Sequence, residues 1–434
     1  MPVPMSPNHP RLALALALAA ATPACQPGED DTSASAGSTS TSGGETTTGT
    51  TEGTTADTEG TATAGTDSDS DSDSDTGTTG PEIPPAYGEW LKKELPGTLC
   101  SNSTQYKFFV NYSETSDNLL IYLEPGGACW DYETCAGNSP LGAANPDGIP
   151  DSHMQKWGTL SPLMRRDVVD NPAKDWNLVF IPYCTGDVHT GNNEMTYDDP
   201  DGVHPPLHYL HHGHANIMAT VAWLNTQFPK VGKMLLTGCS AGGAGAIINY
   251  YFFRNGISGV ERGYLLDDSG PIYPSGGYSG PLHQKIRSSW DVDPIIATIP
   301  EGASIMADFG NLNVTLAETF PDDRLSTIYF QRDFNFSRYS YERFYPDPTK
   351  EKILEYWASD TQLLVDLYDQ YENLAYYLPY WRAFNDSHCA AILTYEGSEI
   401  QELDMDLPKF IDELLDDDAP LQSYRESVQP GEDP

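Results

Sequence analysis

A serine between two glycines is the first group in this chain that could do chemistry. Residues 238–242 read Gly-Cys-Ser-Ala-Gly, with Ser240 at the centre. The G-x-S-x-G pattern is typical of a nucleophile elbow, in which the serine lies on a strained turn between a strand and a helix. The apolar run 234–236 predicts that strand, and residues 244–251 predict a buried helix. We therefore predict that Ser240 is a nucleophile, and the alternative is a glycine-rich turn before a packed helix.

A nucleophilic serine needs a base, which in most such enzymes is a histidine. Only His283 and His388 follow Ser240 in the chain. His388 lies in a polar turn directly before the apolar residues 390–395. In α/β-hydrolases the histidine is the last of the three catalytic groups along the chain. We therefore predict that His388 is the base.

The acid that orients the base should follow a strand between the serine and the histidine. Asp333 fits, because it comes shortly after the predicted strand 327–331. Asp267 and Asp268, at the end of the predicted strand 264–267, are the alternatives. An aspartate at a strand end is also a common cap or turn residue. The spacing predicts Asp333 as the acid and leaves both alternatives open.

Two further glycines follow an early predicted strand. That strand covers residues 119–124, and Pro-Gly-Gly follows it at 125–127. In α/β-hydrolases, backbone N–H groups of this loop and of the residue after the nucleophile form the oxyanion hole. The corresponding donors here are Gly126, Gly127 and Ala241. Taken alone, Pro-Gly-Gly is equally consistent with an ordinary turn.

The elements that would position these groups alternate between strands and helices. Residues 215–228 have helical spacing, and they precede the strand of the elbow. Such alternation is typical of a mainly parallel sheet with flanking helices, so we predict an α/β-hydrolase-like α/β fold. Residues 271–320 and 349–381 are predicted to be helical cap insertions over the site. The predicted strands are 119–124, 176–183, 233–237, 264–267 and 327–331.

The first 84 residues differ in composition from the rest. Residues 1–25 contain Arg11, a short apolar run and small residues before Cys25, which predicts a lipoprotein-type signal peptide with Cys25 lipidated. Simple cleavage nearby is the alternative. Residues 26–84 contain 13 acidic residues and no lysine, arginine or aromatic residue, which predicts a disordered linker. Residues 85–434 are then the predicted catalytic domain.

The predicted domain is strongly acidic. From residue 85 onward, 50 aspartates and glutamates stand against 22 lysines and arginines. This charge disfavours nucleic-acid binding, which requires cations that neutralise phosphates. Five clustered histidines would allow a zinc site, but no cysteine or carboxylate set at ligand spacing accompanies them. We predict no metal and no cofactor. The five histidines are His204, His208, His211, His212 and His214.

Four ordered segments of the chain form a recognisable set, at residues 122–135, 179–187, 238–243 and 268–270. Together they resemble the pectin acetylesterase family, which also includes the animal protein-deacylating enzyme Notum. The similarity extends over roughly residues 87–396. The resemblance implies an α/β-hydrolase that cleaves carboxylic esters without a metal. It implies the same roles for Ser240, Asp333 and His388, and the same oxyanion donors, although Arg332-Asp-Phe-Asn-Phe336 departs from the family's Tyr-Asp-x-Trp-Gln setting.

Six cysteines remain after Cys25, an even number that is compatible with three disulfides in an exported protein. The resemblance implies that Cys129 and Cys135 are paired beside the oxyanion loop. We expect Cys100 to pair with Cys184 next. The remaining pair is Cys239 with Cys389. The alternative to this disulfide is a buried free thiol at Cys239.

These observations predict an exported serine ester hydrolase that removes acetyl or other acyl groups from a polysaccharide such as pectin, through an acyl-enzyme. One alternative is a Notum-like deacylase of lipid-type acyl esters. Another is a non-catalytic surface protein that binds glycans. We expect a monomer, located at a bacterial cell surface or outer membrane or released from it, whose contact with the membrane is a lipid at Cys25.

Overall fold

A nine-stranded sheet forms the centre of the protein. The structure is a computed structural model, and it describes residues 86–137, 139 and 141–427. The predicted signal peptide, Cys25 and the predicted acidic linker lie outside the described residues. Across the described ranges, no helix is both long and apolar enough to cross a membrane.

The elements alternate along the chain as predicted. The strands are β1 (Trp90–Leu99), β2 (Gln105–Asn111), β3 (Leu119–Leu123), β4 (Asn177–Ile181), β5 (Asn193–Tyr197), β6 (Leu207–His211), β7 (Val231–Cys239), β8 (Val260–Asp268), β9 (Arg324–Ile328), β10 (Leu374–Leu378) and β11 (Tyr424–Arg425). The helices are α1 (Tyr132–Cys135), α2 (His153–Trp157), α3 (Gly213–Gln227), α4 (Ala241–Gly256), α5 (Gly280–Trp290), α6 (Asp293–Ile296), α7 (Gly302–Ala307), α8 (Asn311–Thr319), α9 (Phe334–Tyr341), α10 (Lys350–Tyr368) and α11 (Leu407–Leu415).

The strand order in the large sheet is β1-β2-β4-β3-β7-β8-β9-β10-β11. Strand β2 is antiparallel to both of its neighbours, and every other neighbouring pair is parallel. Strands β5 and β6 form a separate antiparallel hairpin. All five residues of β3 and all five of β4 are buried, as expected for central strands covered by helices on both faces. This is the predicted α/β-hydrolase fold.

The registers of the parallel strands bring four strand ends to one edge of the sheet. Leu123 of β3 pairs with Gly238 of β7, and Cys239 pairs with Asp268 of β8. Asp268 pairs in turn with Ile328 of β9. Because these parallel strands end together, the loops that follow them lie side by side. Those loops carry the residues that the sequence singled out.

One predicted strand lies earlier in the chain than expected. We predicted a strand over residues 327–331, whereas β9 begins at Arg324 and ends at Ile328. Arg324 is buried, and its guanidinium donates hydrogen bonds to the carbonyl oxygens of Glu413 and Ala419. A charged residue at the start of a strand interrupts the apolar pattern, so the pattern alone missed this end.

The prediction of a second cap segment at residues 349–381 is wrong. Helix α10 forms as expected, but Leu374–Leu378 is a strand that lies between β9 and β11. No described residue between 349 and 381 lines the cavity beside Ser240. The run Leu-Ala-Tyr-Tyr-Leu becomes a strand because the exposed edge of β9 supplies a parallel partner for it. The first cap segment, which contains α5 to α8, does supply a wall of that cavity.

Three disulfides connect the described cysteines in the predicted pairs. They are Cys100–Cys184, Cys129–Cys135 and Cys239–Cys389. The alternative of a free thiol at Cys239 is therefore wrong. The third disulfide joins the residue before Ser240 to the residue after His388.

Candidate active site

Ser240 lies on a strained turn between β7 and α4. Its backbone angles are φ 58° and ψ −119°, in a region that non-glycine residues rarely occupy. The Ser240 N–H donates to the carbonyl oxygen of Asp268 at 2.7 Å, and its carbonyl accepts from the Ala244 N–H at 3.0 Å. These two bonds hold the turn between the end of β8 and the first turn of α4, and they place the serine side chain at a cavity.

The glycines on both sides of Ser240 are required by close backbone contacts. A Cβ atom on Gly242 would lie 2.0 Å from the carbonyl oxygen of Leu123. A Cβ atom on Gly238 would lie 2.6 Å from backbone atoms of Gly242 and Leu123. Both distances are far inside van der Waals contact, so the clash expected from the sequence exists in the structure. The elbow geometry therefore depends on glycine at both positions.

Two of the predicted oxyanion donors lie at the same cavity as Ser240. Gly127 and Ala241 both line it, whereas Gly126 does not. Ala241 is the first residue of α4, so its N–H belongs to the first turn, which has no intrahelical acceptor. Gly127 has φ +70°, and a Cβ there would lie 2.1 Å from the carbonyl oxygen of Gly142. The carbonyl oxygen of Gly126 accepts a hydrogen bond from the Ala144 N–H at 2.8 Å.

A buried glutamate supports the oxyanion loop, and the sequence analysis did not assign it a role. The Glu124 carboxylate accepts hydrogen bonds from the Tyr183 N–H at 2.8 Å and from Asn145 Nδ2 at 3.3 Å. His153 Nε2 lies 3.1 Å from both of its oxygens. The carbonyl oxygen of Glu124 lies 2.9 Å from His189 Nε2. The signal that could have revealed it is a carboxylate that directly follows an entirely apolar strand.

His388 and Asp333 meet in a buried hydrogen bond. His388 Nδ1 lies 2.8 Å from Asp333 Oδ2, and the two residues are 6 % and 0 % exposed. Because a carboxylate only accepts, Nδ1 carries the proton and Nε2 is left as a proton acceptor. The other oxygen of Asp333 accepts from the Phe336 N–H at 2.9 Å and caps α9. Asp333 is thus held by the helix on one side and orients the imidazole on the other.

The histidine lies close to the elbow. A ring nitrogen of His388 and the sulfur atoms of Cys239 and Cys389 are all within 4.8 Å of one another. Cys239 is the residue before Ser240 and lies at the end of β7. The disulfide therefore holds the segment of the base against the segment of the predicted nucleophile.

Neither alternative acid bonds to the imidazole in the structure, and only Asp268 holds the histidine segment through its backbone. The Asp268 carboxylate accepts from the N–H groups of Ala390 and Ala391, both at 2.8 Å. Asp267 accepts from the Thr327 hydroxyl at 2.7 Å and from the Gly270 N–H at 2.9 Å. Burial raises the pKa of Asp268 to about 6 and that of Asp267 to about 8. The hydrogen bond to the imidazole favours Asp333 over both.

An arginine that the sequence analysis did not single out also holds the histidine segment. The Arg382 side chain is buried and donates hydrogen bonds to the carbonyl oxygens of Cys389 and Ala390. Its guanidinium lies 4.9 Å from the ring centre of Phe330 and 5.1 Å from that of Phe384. These contacts leave the His388 segment tied on three sides, by Asp268, Arg382 and the disulfide.

The cavity beside Ser240 is mainly apolar. It offers about 50 Å³ of space to water-sized groups. His283, the other histidine that follows Ser240, lies in its wall on α5, and its Nδ1 has no hydrogen-bond partner among the described residues. The described residues that line the cavity include no lysine or arginine. Its largest apolar lining residues are Trp130, Trp290, Phe336, Ile248, Ile272, Leu282 and Ile286.

The five clustered histidines do not converge on a common point. His211 Nε2 lies 2.9 Å from the Tyr197 hydroxyl, and its Nδ1 lies 3.0 Å from the carbonyl oxygen of Thr185. Both ring nitrogens thus have protein partners. In the described residues, each group with metal-ligand spacing contains two cysteines that form a disulfide. Such sulfurs are not thiolates, so these groups do not fit a metal.

Comparison with known proteins identifies one family of esterases. Residues 91–291 match the family model described as Pectinacetylesterase. This match confirms the resemblance that the sequence motifs predicted. The matched range contains Ser240 and the oxyanion loop, whereas Asp333 and His388 lie beyond it.

The similar proteins include both branches of esterase that the motifs indicated. The palmitoleoyl-protein carboxylesterase notum2 of Xenopus laevis is 31% identical over 165 residues, which are 37% of this chain and 30% of that protein. Pectin acetylesterase 4 of Arabidopsis thaliana is 28% identical over 193 residues, which are 42% of each protein. The alignments thus span less than half the length of these relatives.

The fold is also shared with a solved structure. A crystal structure of the Wnt deacylase Notum from Drosophila superimposes with a TM-score of 0.52 at 17% identity, over 79% of this chain and 97% of that chain. At this identity the likeness concerns the fold.

Proposed function

We propose, from the match of residues 91–291 to the pectinacetylesterase family, that this protein is a serine carboxylic-ester hydrolase. It removes short acyl groups, such as acetyl, from a polysaccharide. The observation that carries the proposal is the buried His388–Asp333 hydrogen bond, at the edge of the sheet where Ser240 lies on a strained elbow. The proposed catalytic groups are Ser240, His388 and Asp333.

In the first half of the reaction, the Ser240 hydroxyl attacks the carbonyl carbon of the ester. His388 Nε2 accepts the serine proton as the new C–O bond forms, and Asp333 stabilises the imidazolium through Nδ1. The negative charge on the carbonyl oxygen is stabilised by N–H groups of Gly127 and Ala241, with Gly126 as the third predicted donor. The ester C–O bond then breaks, and the leaving alcohol takes the proton from His388.

In the second half, water replaces the alcohol. His388 accepts a proton from the water as its oxygen attacks the acyl-enzyme. Collapse of this second tetrahedral intermediate breaks the acyl–Ser240 bond and returns the proton to the serine oxygen. The products are the free carboxylic acid, the alcohol and the regenerated enzyme.

The size of the cavity favours a short acyl group. One water molecule needs roughly 10–15 Å³ of such space, so a cavity of about 50 Å³ holds about three to five waters. An acetyl group fits this space, whereas most of a sixteen-carbon palmitoleoyl chain would have to extend beyond it. The lipid-type deacylase, which the Xenopus relative's name would suggest, is therefore the second candidate.

We also propose that the protein acts outside the cytoplasm. Its three disulfides are of the kind that form and persist in oxidising compartments. The sequence predicts a lipid at Cys25 and an acidic linker between that lipid and the catalytic domain. Palmitate labelling of the full chain and of Cys25→Ser, in a bacterial host that processes lipoproteins, tests the anchor.

The activity is tested with purified catalytic domain and two sets of substrates. p-Nitrophenyl esters from acetyl to palmitoyl show which acyl length is hydrolysed fastest. Acetylated neutral glycans and acetylated pectin show which polysaccharide supplies the alcohol part of the ester. We expect the acetyl to butanoyl esters to be hydrolysed fastest and a serine-directed phosphonate to stop the reaction. A protein that binds these glycans without releasing acid would be the surface binding protein instead. A maximum at palmitoyl would favour the lipid-type deacylase.

We expect Asp333→Asn to lower turnover by about 10⁴ while the fold is kept. The new Oδ1 can still cap α9 at the Phe336 N–H, whereas the new NH₂ group faces His388 Nδ1. The imidazole must then carry its proton on Nε2, where it cannot accept the serine proton. Thermal melting and kcat/KM on p-nitrophenyl acetate measure both effects.

Asp268→Asn is the matched control for Asp333→Asn, because Asp268 is equally buried but bonds to backbone N–H groups. Its loss of turnover should be at least tenfold smaller than that of Asp333→Asn. Equal losses of turnover would mean that Asp333 and Asp268 share the role of the acid. A larger loss in Asp268→Asn would assign that role to Asp268, at the end of β8.

Removal of the Cys239–Cys389 disulfide should lower both stability and turnover. Loss of a cross-link of this kind costs about 2–4 kcal/mol of the free energy of unfolding. Turnover should also fall, because Cys389 neighbours His388 and Cys239 neighbours Ser240. We expect at least a tenfold loss of kcat/KM in Cys239→Ala/Cys389→Ala, measured well below the melting temperature.

The double variant Cys100→Ala/Cys184→Ala provides the comparison. It removes a cross-link away from the triad, so it should lose stability and keep kcat/KM within about threefold. Similar losses of kcat/KM in both double variants would show that the third disulfide has no particular role at the site.

A further inference from the structure

The wall of the cavity beside Ser240, here called the acyl cavity, contains a histidine with one buried ring nitrogen that has no hydrogen-bond partner in the described residues. His283 lines the cavity that holds Ser240, and its Nδ1 has no hydrogen-bond partner among the described residues. The residue is 5 % exposed, so bulk water does not replace that partner. The imidazole lies on α5, and its ring centre is 5.2 Å from that of Phe309.

Among the other polar groups of the wall, Ser279 Oγ is also buried without a hydrogen-bond partner in the described residues, whereas three further groups have partners inside the protein. The Tyr339 hydroxyl donates to the carbonyl oxygen of Gly142 at 2.9 Å, and Ser340 Oγ donates to that of Phe336 at 3.2 Å. Trp290 Nε1 donates to the carbonyl oxygen of Cys129 at 2.8 Å. These groups are used inside the protein. The imidazole of His283 is thus available for a group that enters the cavity.

The imidazole is neutral near pH 7. Burial lowers the pKa of His283 to about 4, with Asp308 and Arg287 acting in opposite directions nearby. A neutral imidazole has one N–H donor and one bare nitrogen acceptor. A hydroxyl group can bond to either nitrogen, because it both donates and accepts. A carboxylate can bond only to the N–H. Its charge would also be costly here, because the cavity is apolar and its described lining contains no lysine or arginine.

We propose that His283 forms a polar subsite for the acyl group, and that the enzyme prefers short hydroxyacyl esters to unsubstituted acyl esters of the same size. The proposal rests on the proposed esterase function, since the acyl group must be attached through Ser240. The reaction itself is unchanged, and the carboxylic acid that it releases is a small hydroxy acid. A site that is built to bond a substrate hydroxyl discriminates against an analogue that lacks it, because the buried protein group is then left unpaired.

The direct test compares isosteric p-nitrophenyl esters on the unmodified protein. The 3-hydroxybutanoyl ester is compared with the 3-methylbutanoyl ester, and the 2-hydroxypropanoyl ester with the 2-methylpropanoyl ester. Each kcat/KM is divided by the rate of alkaline hydrolysis, which removes the intrinsic effect of the hydroxyl group. We expect a preference of at least tenfold for one hydroxyacyl ester, the effect of one net hydrogen bond. The succinyl monoester should be hydrolysed at least tenfold more slowly than the butanoyl ester.

Two similar substitutions at His283 identify the group that is responsible. His283→Gln keeps a hydrogen-bonding side chain and His283→Met does not, although both are flexible and of comparable length. The ratio of kcat/KM for the hydroxyacyl ester to kcat/KM for its isostere should stay high in His283→Gln. The same ratio should fall to about one in His283→Met. Ile286→Leu, which changes the same helix face without a polar group, should keep the preference.

The possible failures are distinguishable. Hydrolysis of p-nitrophenyl acetate with no hydroxyl preference would overturn the subsite and leave the esterase function standing, since an ordered water would then satisfy His283. A preference that survives His283→Met would also overturn it, because another group would be responsible. Absence of hydrolysis of every ester would overturn the proposed function and the subsite together.

Discussion

Ser240→Ala is expected to lower kcat/KM for ester hydrolysis by on the order of 10⁶, as removal of the nucleophile does in serine proteases. The reason is geometric, since Ser240 lies on the strained elbow and lines the cavity that we propose for the acyl group. Alanine keeps the backbone hydrogen bonds to Asp268 and Ala244, so the melting temperature should change little. Hydrolysis of p-nitrophenyl acetate and a thermal melt measure the two effects.

Ser326→Ala is a suitable control for this substitution. Ser326 is a buried serine of β9, and its hydroxyl donates to the carbonyl oxygen of Leu265 at 2.8 Å. It should keep kcat/KM within about threefold. If Ser240→Ala retained activity within about tenfold of the parent, the serine mechanism would have to be abandoned.

His388→Ala should be as damaging as Ser240→Ala, and the double variant should be hardly worse than either. The members of a catalytic triad act as one unit, so if these residues form one, the losses that each substitution causes do not add. The same ester assay measures all three variants. Because His388→Ala leaves the buried Asp333 without its partner, a loss of stability should accompany it.

His388→Gln separates catalysis from stability. Its side-chain amide can still donate to Asp333, so the fold should be kept, but an amide is no base and turnover should remain as low as in His388→Ala. His283→Met should cost far less, within about a hundredfold on the acetyl ester. A reversed result, with His283→Met the more damaging change, would assign the base to the wall of the cavity.

The elbow at Ser240 could be predicted from the sequence because its requirements are local. Strand β7, the glycines around Ser240 and helix α4 form one continuous stretch of chain. The glycines are needed for steric reasons, and the contact of Gly242 with Leu123 shows the clash that any side chain would meet. The glycines predicted as oxyanion donors are similar, because they lie in the loop that follows β3. The parallel sheet could be predicted for the same reason, since each buried strand is a short apolar run.

The sequence predicted Asp333 as the acid but could not eliminate Asp267 and Asp268. Asp268 and Asp333 both follow strands that end at the same edge of the sheet, and no local pattern tells their side chains apart. In the structure, the Asp268 carboxylate is occupied by two backbone N–H groups, whereas Asp333 bonds the imidazole. The direction of each loop decides which carboxylate reaches His388.

The roles of the two later histidines also depend on tertiary structure. His388 and Asp333 are 55 residues apart in the chain, and they meet because the segments after β9 and β10 return to one edge of the sheet. His283 instead lies on a cap helix and faces the acyl cavity. Strand β10 itself forms because β9 offers it a partner, which its own residues do not reveal. Local sequence was thus enough to predict the elbow, the class of fold and the candidate base and acid, whereas the bond between Asp333 and His388 and the shape of the cavity depend on contacts between distant segments, because only folding brings those segments together.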